Sequence, residues 1–98
     1  MIKLDEEKFG ALAISALRYC QGRQTYMVHT IIDIVTAFLQ KVTDKDLRVM
    51  IEDCQYQKRN NLYGDSTIDK PRWIRFEQDL IEERNRRFYD KHGYHYAG

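Results

Sequence analysis

Thr30 to Asp46, TIIDIVTAFLQKVTDKD, is the stretch that decides the fold. Ile31, Ile34, Val35, Phe38, Leu39 and Val42 recur at steps of three and four residues, which is the period of one apolar helical face. Thr30 stands before them with Asp33 three residues on, a capping box with a shorter acid than the usual Glu. The spacing predicts a second helix from Ile31 to about Val42. Thr43 and Asp46 repeat the Thr-x-x-Asp pattern at once, so a third helix follows with almost no linker. Leu47, Met50, Ile51 and Cys54 form its stripe to about Lys58. Two capped amphipathic helices in succession point to a bundle, whose helices bury one stripe each.

Upstream, Asp5 to Cys20 places Phe9, Leu12, Ala13, Ala16, Leu17 and Cys20 on one face. Asp5 suits the cap, Glu6 and Glu7 suit the positive end of the helix dipole, and Gly22 supplies the stop. Gly10 inside a helix costs about 1 kcal/mol relative to Ala, which predicts a close approach by another element. Between these helices Thr25-Tyr26-Met27-Val28-His29 is β-branched and aromatic, so residues 25–29 read as a short extended segment. The alternative is a helix starting at Tyr26 and capped by Thr25. Downstream, Arg59 to Asp69 is a connection rich in turn formers, pinned to the core through Leu62, Tyr63 and Ile68. Asp69 can cap a fourth helix with Pro71 in its first turn. Trp73, Phe76, Leu80 and Ile81 give its apolar face, which runs on toward Arg84. From Phe88 the chain reads as an irregular aromatic tail broken by Gly93. The expected fold is mostly α: residues 1–98 as one small domain of about four helices, with 88–98 as the tail.

The chain has 98 residues, with 16 Lys plus Arg against 15 Asp plus Glu, a formal charge of +1 although 32% of residues are charged. A length near 100 residues supports a real but thin core, and dimerisation would bury more. At 43% hydrophobic residues the composition excludes the disordered class. The near-zero balance removes bulk-charge affinity for nucleic acid, so any basic site is local. Cys20 and Cys54 lie in apolar stripes without ligand spacing and read as buried thiols. No run reaches the roughly 20 apolar residues of a membrane span, and no signal peptide is visible. The expected location is a bacterial host cytosol, with no membrane contact.

Catalysis needs a nucleophile beside a base, carboxylates split by environment, or a metal held by several ligands. His92 and His95 near Asp90 read as a solvated tail rather than a metal site, and Cys20 and His29 straddle the first loop without a third orienting group. There is neither a phosphate loop nor a zinc-protease helix motif. The sequence therefore reads as a non-enzyme with no cofactor and no metal.

Two constellations remain. Arg18 and Arg23 flank a helix end, and Thr25, Tyr26 and Thr30 lie at the start of the next. Guanidinium groups beside unpaired N-terminal N–H groups suit phosphate or carboxylate, with Tyr26 stacking on a base. The alternative reading is a latch in which Arg18 or Arg23 pairs with Asp33 or Asp65. The second constellation is Arg84, Arg86, Arg87, Phe88, Tyr89, Lys91, Tyr94 and Tyr96, a mixture that suits base stacking, cation–π contacts or a protein interface. Glu77, Asp79, Glu82 and Glu83 share that helix and are expected to pair with these arginines.

The run A-L-R-Y-x-x-G-R-x-T-Y-M from Ala16 to Met27, with Asp33, Tyr63-Gly64-Asp65 and Trp73 beyond it, resembles small accessory proteins of phages and prophages of Gram-positive bacteria. Their usual pattern is A-I-R-Y-x-x-G-R-x-T-Y followed by two or three helices, and the likeness covers Ala13 to about Ile81. The resemblance implies an anti-defence role. Such a protein binds a host defence component, as anti-CRISPR proteins do, or sequesters a phosphorylated nucleotide signal; the thin core of so short a chain adds the expectation of a homodimer. In the first form Arg84 through Tyr96 would make the contact; in the second, Arg18, Arg23, Thr25 and Tyr26 would. The alternative is a nucleic-acid-binding or regulatory helical module, and the plainest is a virion assembly factor.

Overall fold

In the computed structural model the described residues are 5–22, 26–63 and 69–97. They form four α-helices: α1 (Glu6–Cys20), α2 (Tyr26–Ala37), α3 (Asp44–Arg59) and α4 (Asp69–His92), with a 3-10 turn at Leu39–Lys41. The small helical bundle is as expected, and no strand occurs among the described residues.

The caps follow the sequence. Asp5 accepts from the Lys8 N–H at 2.8 Å and Thr43 from the Asp46 N–H at 3.2 Å, each satisfying an orphan donor of the first turn. At the end of α3 the Leu62 N–H donates to the Gln57 carbonyl at 2.8 Å and the Asn61 N–H to that of Lys58 at 3.3 Å. Asn61 carries the left-handed φ of 55° on which this stop depends. Gly93 ends α4 with φ 78° and an N–H bond to the Tyr89 carbonyl at 2.7 Å.

α1 packs on α2 and α3, and α4 packs on the same two helices. Contacts fix the directions: Phe9 meets Phe38, Arg18 meets Asp53, and Asp44 meets Arg87. Successive helices therefore run in opposite senses, and the 3-10 turn carries the chain from α2 to α3, with Leu39 and Val42 buried. The molecule is only 19 Å across its shortest axis, about two helix diameters.

Four expectations need correction. Residues 26–29 are helical rather than extended, because α2 begins at Tyr26; burial of Val28 outweighs the β-branched character of the run. Thr30 therefore sits within α2 and not at its N-terminal cap position, while Thr25 lies outside the described residues. α2 also ends at Ala37, and its buried face is Val28, Ile32 and Val35; Ile34 and Phe38 are each 48% exposed, and Leu12 on α1 is 61% exposed. Finally, Phe88 to His92 continue α4, so only 93–97 of the described tail is irregular. Of the residues expected to pin the long connection, Tyr63 is buried and Leu62 half-buried, and Ile68 lies outside the described residues.

Trp73 is the centre of the core. It stacks on Tyr63 with centroids 5.9 Å apart and meets Phe76 edge-on at 6.1 Å. The Tyr63 hydroxyl donates to the Cys54 carbonyl at 3.1 Å, so its polar end is satisfied. Burial pushes the Cys54 thiol up to about 12, aided by the nearby Glu77 charge, so it packs as a protonated small hydrophobe.

Gly10 meets the close approach its position demands. A Cβ there would overlap the Asp46 carboxylate and lie 3.2 Å from the Asp46 Cβ. Gly10→Ala is expected to lower stability by about 1–2 kcal/mol, because the overlap exceeds the helix-propensity gain. Urea unfolding measures this, and Gly10→Ala with Asp46→Ala should recover most of the loss; a stabilised single variant would contradict the packing.

Candidate basic cleft between α3 and α4

The antiparallel docking of α3 on α4 brings the start of one against the end of the other and leaves an open cleft of about 450 Å³. Its lining includes Lys45 and Arg48 from α3 and Arg84, Arg87, Phe88, Lys91 and His92 from α4, with Asp44 at its edge. Five cations thus face one carboxylate. Among the described residues Lys45, Arg48, Arg84 and Lys91 make no ion pair.

The expected cluster at the end of α4 divides into three roles. Arg87 is structural: it donates to Glu83 at 2.7 Å, to Asp44 at 2.9 Å and to the Leu39 carbonyl at 3.0 Å, clamping the crossing between α2 and α3. Arg86 is taken up by Glu83 at 2.6 Å and Asp90 at 3.0 Å. Arg84 alone of the three has no carboxylate; it contacts the Asn85 side chain at 3.3 Å and lies over the Tyr96 ring at 4.1 Å. Burial alone would raise the Glu83 carboxyl, but the hydrogen bonds and charges of Arg86 and Arg87 outweigh it and hold it below its ordinary value. Two of the other expected acids pair elsewhere, Glu77 with Lys58 and Asp79 with Arg75.

Phe88 is the hub of the aromatic end, with Tyr96 at 5.2 Å, Tyr94 at 5.4 Å and His92 at 4.3 Å between ring centroids. Tyr89 stacks on His95 at 4.9 Å. Residues 93–97 thus fold back on the last turns of α4, while Tyr94 remains 61% exposed. No cluster of three metal-ligating side chains occurs among the described residues.

The Arg18 constellation is arranged differently. Arg18 binds Asp53 through two hydrogen bonds of 2.9 and 3.3 Å, joining α1 to α3. Asp33, one of its expected partners, instead lies 3.8 Å from Arg72, and the other, Asp65, lies outside the described residues. Arg18 is more than half exposed, so this surface pair contributes about 0–1 kcal/mol. Arg23 and Thr25 lie outside the described residues, Tyr26 opens α2, and Thr30 is exposed one turn further on. Lys45 and Arg48, which the sequence did not single out, are three residues apart on the polar side of α3. That spacing is the only local signal they carry, since the cleft exists only once α4 docks.

The class defined by fold and cleft is a small helical protein with a basic, aromatic-edged surface suited to an anionic partner. No helix among the described residues is long and apolar enough to cross a membrane. Compared with models of protein families, with curated proteins and with solved structures, the chain matches none.

Proposed function

We propose that the protein is a non-enzymatic, phage-encoded anti-defence protein that sequesters a phosphorylated nucleotide signal in the α3–α4 cleft. The observation that carries this reading is the convergence of Lys45, Arg48, Arg84 and Lys91 without carboxylate partners beside aromatic rings. Guanidinium forks and ammonium groups suit phosphate oxygens, and an aromatic edge suits a base. The cleft volume falls in the range of small-ligand sites. Arg18 is occupied by Asp53, which favours this cleft over the α1–α2 loop.

Calorimetric titration against cyclic and ADP-ribose-type nucleotides tests it. Binding is expected, with Arg48→Ala and Arg84→Ala each weakening it by about 10-fold or more and Arg18→Ala leaving it unchanged. No heat from any member of the panel would sink the nucleotide reading. A second reading, inhibition of a host defence protein, is supported by the exposed Tyr89 and Tyr94 at the end of α4. It is tested by pulldown from a defence-bearing host with and without residues 93–98. The nucleic-acid alternative requires affinity for DNA that falls steeply with salt.

A further inference from the structure

From Phe9 to Phe38 the sequence holds only three charged residues, Arg18, Arg23 and Asp33, in a chain that is 32% charged. Arg18 and Asp33 are engaged with α3 and α4 on the flanks of the hairpin turned toward those helices. The opposite flanks are apolar. On α1 they carry Phe9, Leu12, Ala16 and Tyr19, and on α2 Met27, Ile31 and Ile34, with Phe38 just past its end. Phe9 and Phe38 meet edge-on at 6.2 Å, so the two stripes border one groove. Phe9 and Ile31 are half-buried against the core, but the fully buried residues are others: Ala13, Leu17 and Cys20 from α1 and Val28, Ile32 and Val35 from α2. α2 is thus apolar on two sides, as expected of a helix covered on both.

We infer that the outer face of the α1–α2 hairpin is the surface through which two copies of this chain pair. Leu12, Tyr19, Met27, Ile34 and Phe38 together expose roughly 500 Å², and the half-buried residues among them bring the face toward the about 800 Å² per partner of a stable interface. A patch of this size lies at the upper end of what a single-copy surface carries, where such patches are often binding surfaces. The face is self-compatible, because a two-fold contact sets each patch against itself and the charges at its Phe9–Phe38 end, Asp5, Glu6 and Lys41, are of both signs. Leu12 and Tyr19, Met27 and Ile34, and Ile31 and Phe38 are each seven residues apart, the repeat that lets helices lie nearly along one another in a four-helix arrangement. The face lies on α1 and α2, leaving the α3–α4 cleft open in the dimer.

Sedimentation equilibrium of the full chain over micromolar to hundred-micromolar concentrations tests this. The expected mass is twice the 11.8 kDa of one chain. Ile34→Glu should raise the dimer dissociation constant by roughly 100-fold or more while circular dichroism keeps its helical signal. Ile34→Gln, which adds no charge, should weaken the pair in the same direction, and Tyr56→Glu on the exposed side of α3 should leave it intact. A wild-type chain that stays at one-chain mass throughout overturns the inference, as does an unchanged dimer in folded Ile34→Glu or Ile34→Gln.

Discussion

Trp73→Ala is expected to lower the unfolding free energy by about 3–5 kcal/mol, the upper range for truncation of a core side chain. Trp73 is almost wholly buried, stacked on Tyr63 and edge-on to Phe76, so its loss removes dispersion contacts with both rings and leaves a cavity they cannot jointly close. It also joins the core to the connection after α3, because Tyr63 is held in turn by its bond to the Cys54 carbonyl. A small domain is typically stable by about 5–15 kcal/mol, so the variant should be partly unfolded near 40 °C. Urea titration followed by circular dichroism measures the change, since this substitution removes the only tryptophan. A loss under about 1 kcal/mol would show that Trp73 does not centre the core.

Glu83→Ala should also be damaging, at about 3 kcal/mol. Glu83 is only 9% exposed and holds Arg86 and Arg87 together, and Arg87 reaches on to Asp44 and the Leu39 carbonyl. Removing the carboxylate leaves the half-buried Arg87 guanidinium short of its principal partner and loosens the passage from α2 to α3. The pH dependence follows from the lowered ionisation of Glu83. Its folded value lies below the ordinary 4.5, so its contribution is complete above that pH and is lost as pH falls through the folded value. The wild-type melting temperature is therefore expected to drop below about pH 4.5, and Glu83→Gln should flatten that part of the profile. An identical acid profile in the variant would remove Glu83 from the account.

α3 was legible in the sequence because its apolar residues fall on one stripe and its remaining face is charged; Leu47, Met50, Ile51 and Cys54 are all buried as expected. α2 was legible as a helix but not in phase. Ile31, Ile32, Ile34 and Val35 satisfy two helical faces at once; of the expected Ile31, Ile34, Val35 and Phe38 the bundle buries Val35 and half-buries Ile31, leaves Ile34 and Phe38 exposed, and buries Val28 and Ile32 instead. The choice between two apolar faces is made by the other helices. The start at Tyr26 was the sequence's alternative and not its first reading for a related reason: Thr30 and Asp33 have the spacing of a cap, yet Val28 packs in the core and draws the helix one turn back.

The cleft was half legible. Arg84 and the aromatic residues around Phe88 stood out as a cluster, but sequence could not rank the arginines, because only the fold gives Arg86 and Arg87 their carboxylates. Lys45 and Arg48 lie far from that cluster in the chain and join it through the antiparallel packing of α3 on α4. Arg18 shows the converse, since a residue prominent in a distinctive motif is held by Asp53, thirty-five positions away.

The most direct test of the cleft as the anion site is a ¹⁵N-correlated NMR titration of the full chain with a binding member of the nucleotide panel. The account predicts that the largest amide shifts fall on Lys45, Arg48, Arg84, Phe88 and Lys91. Shifts confined to Arg18, Arg23 and the start of α2 would contradict it.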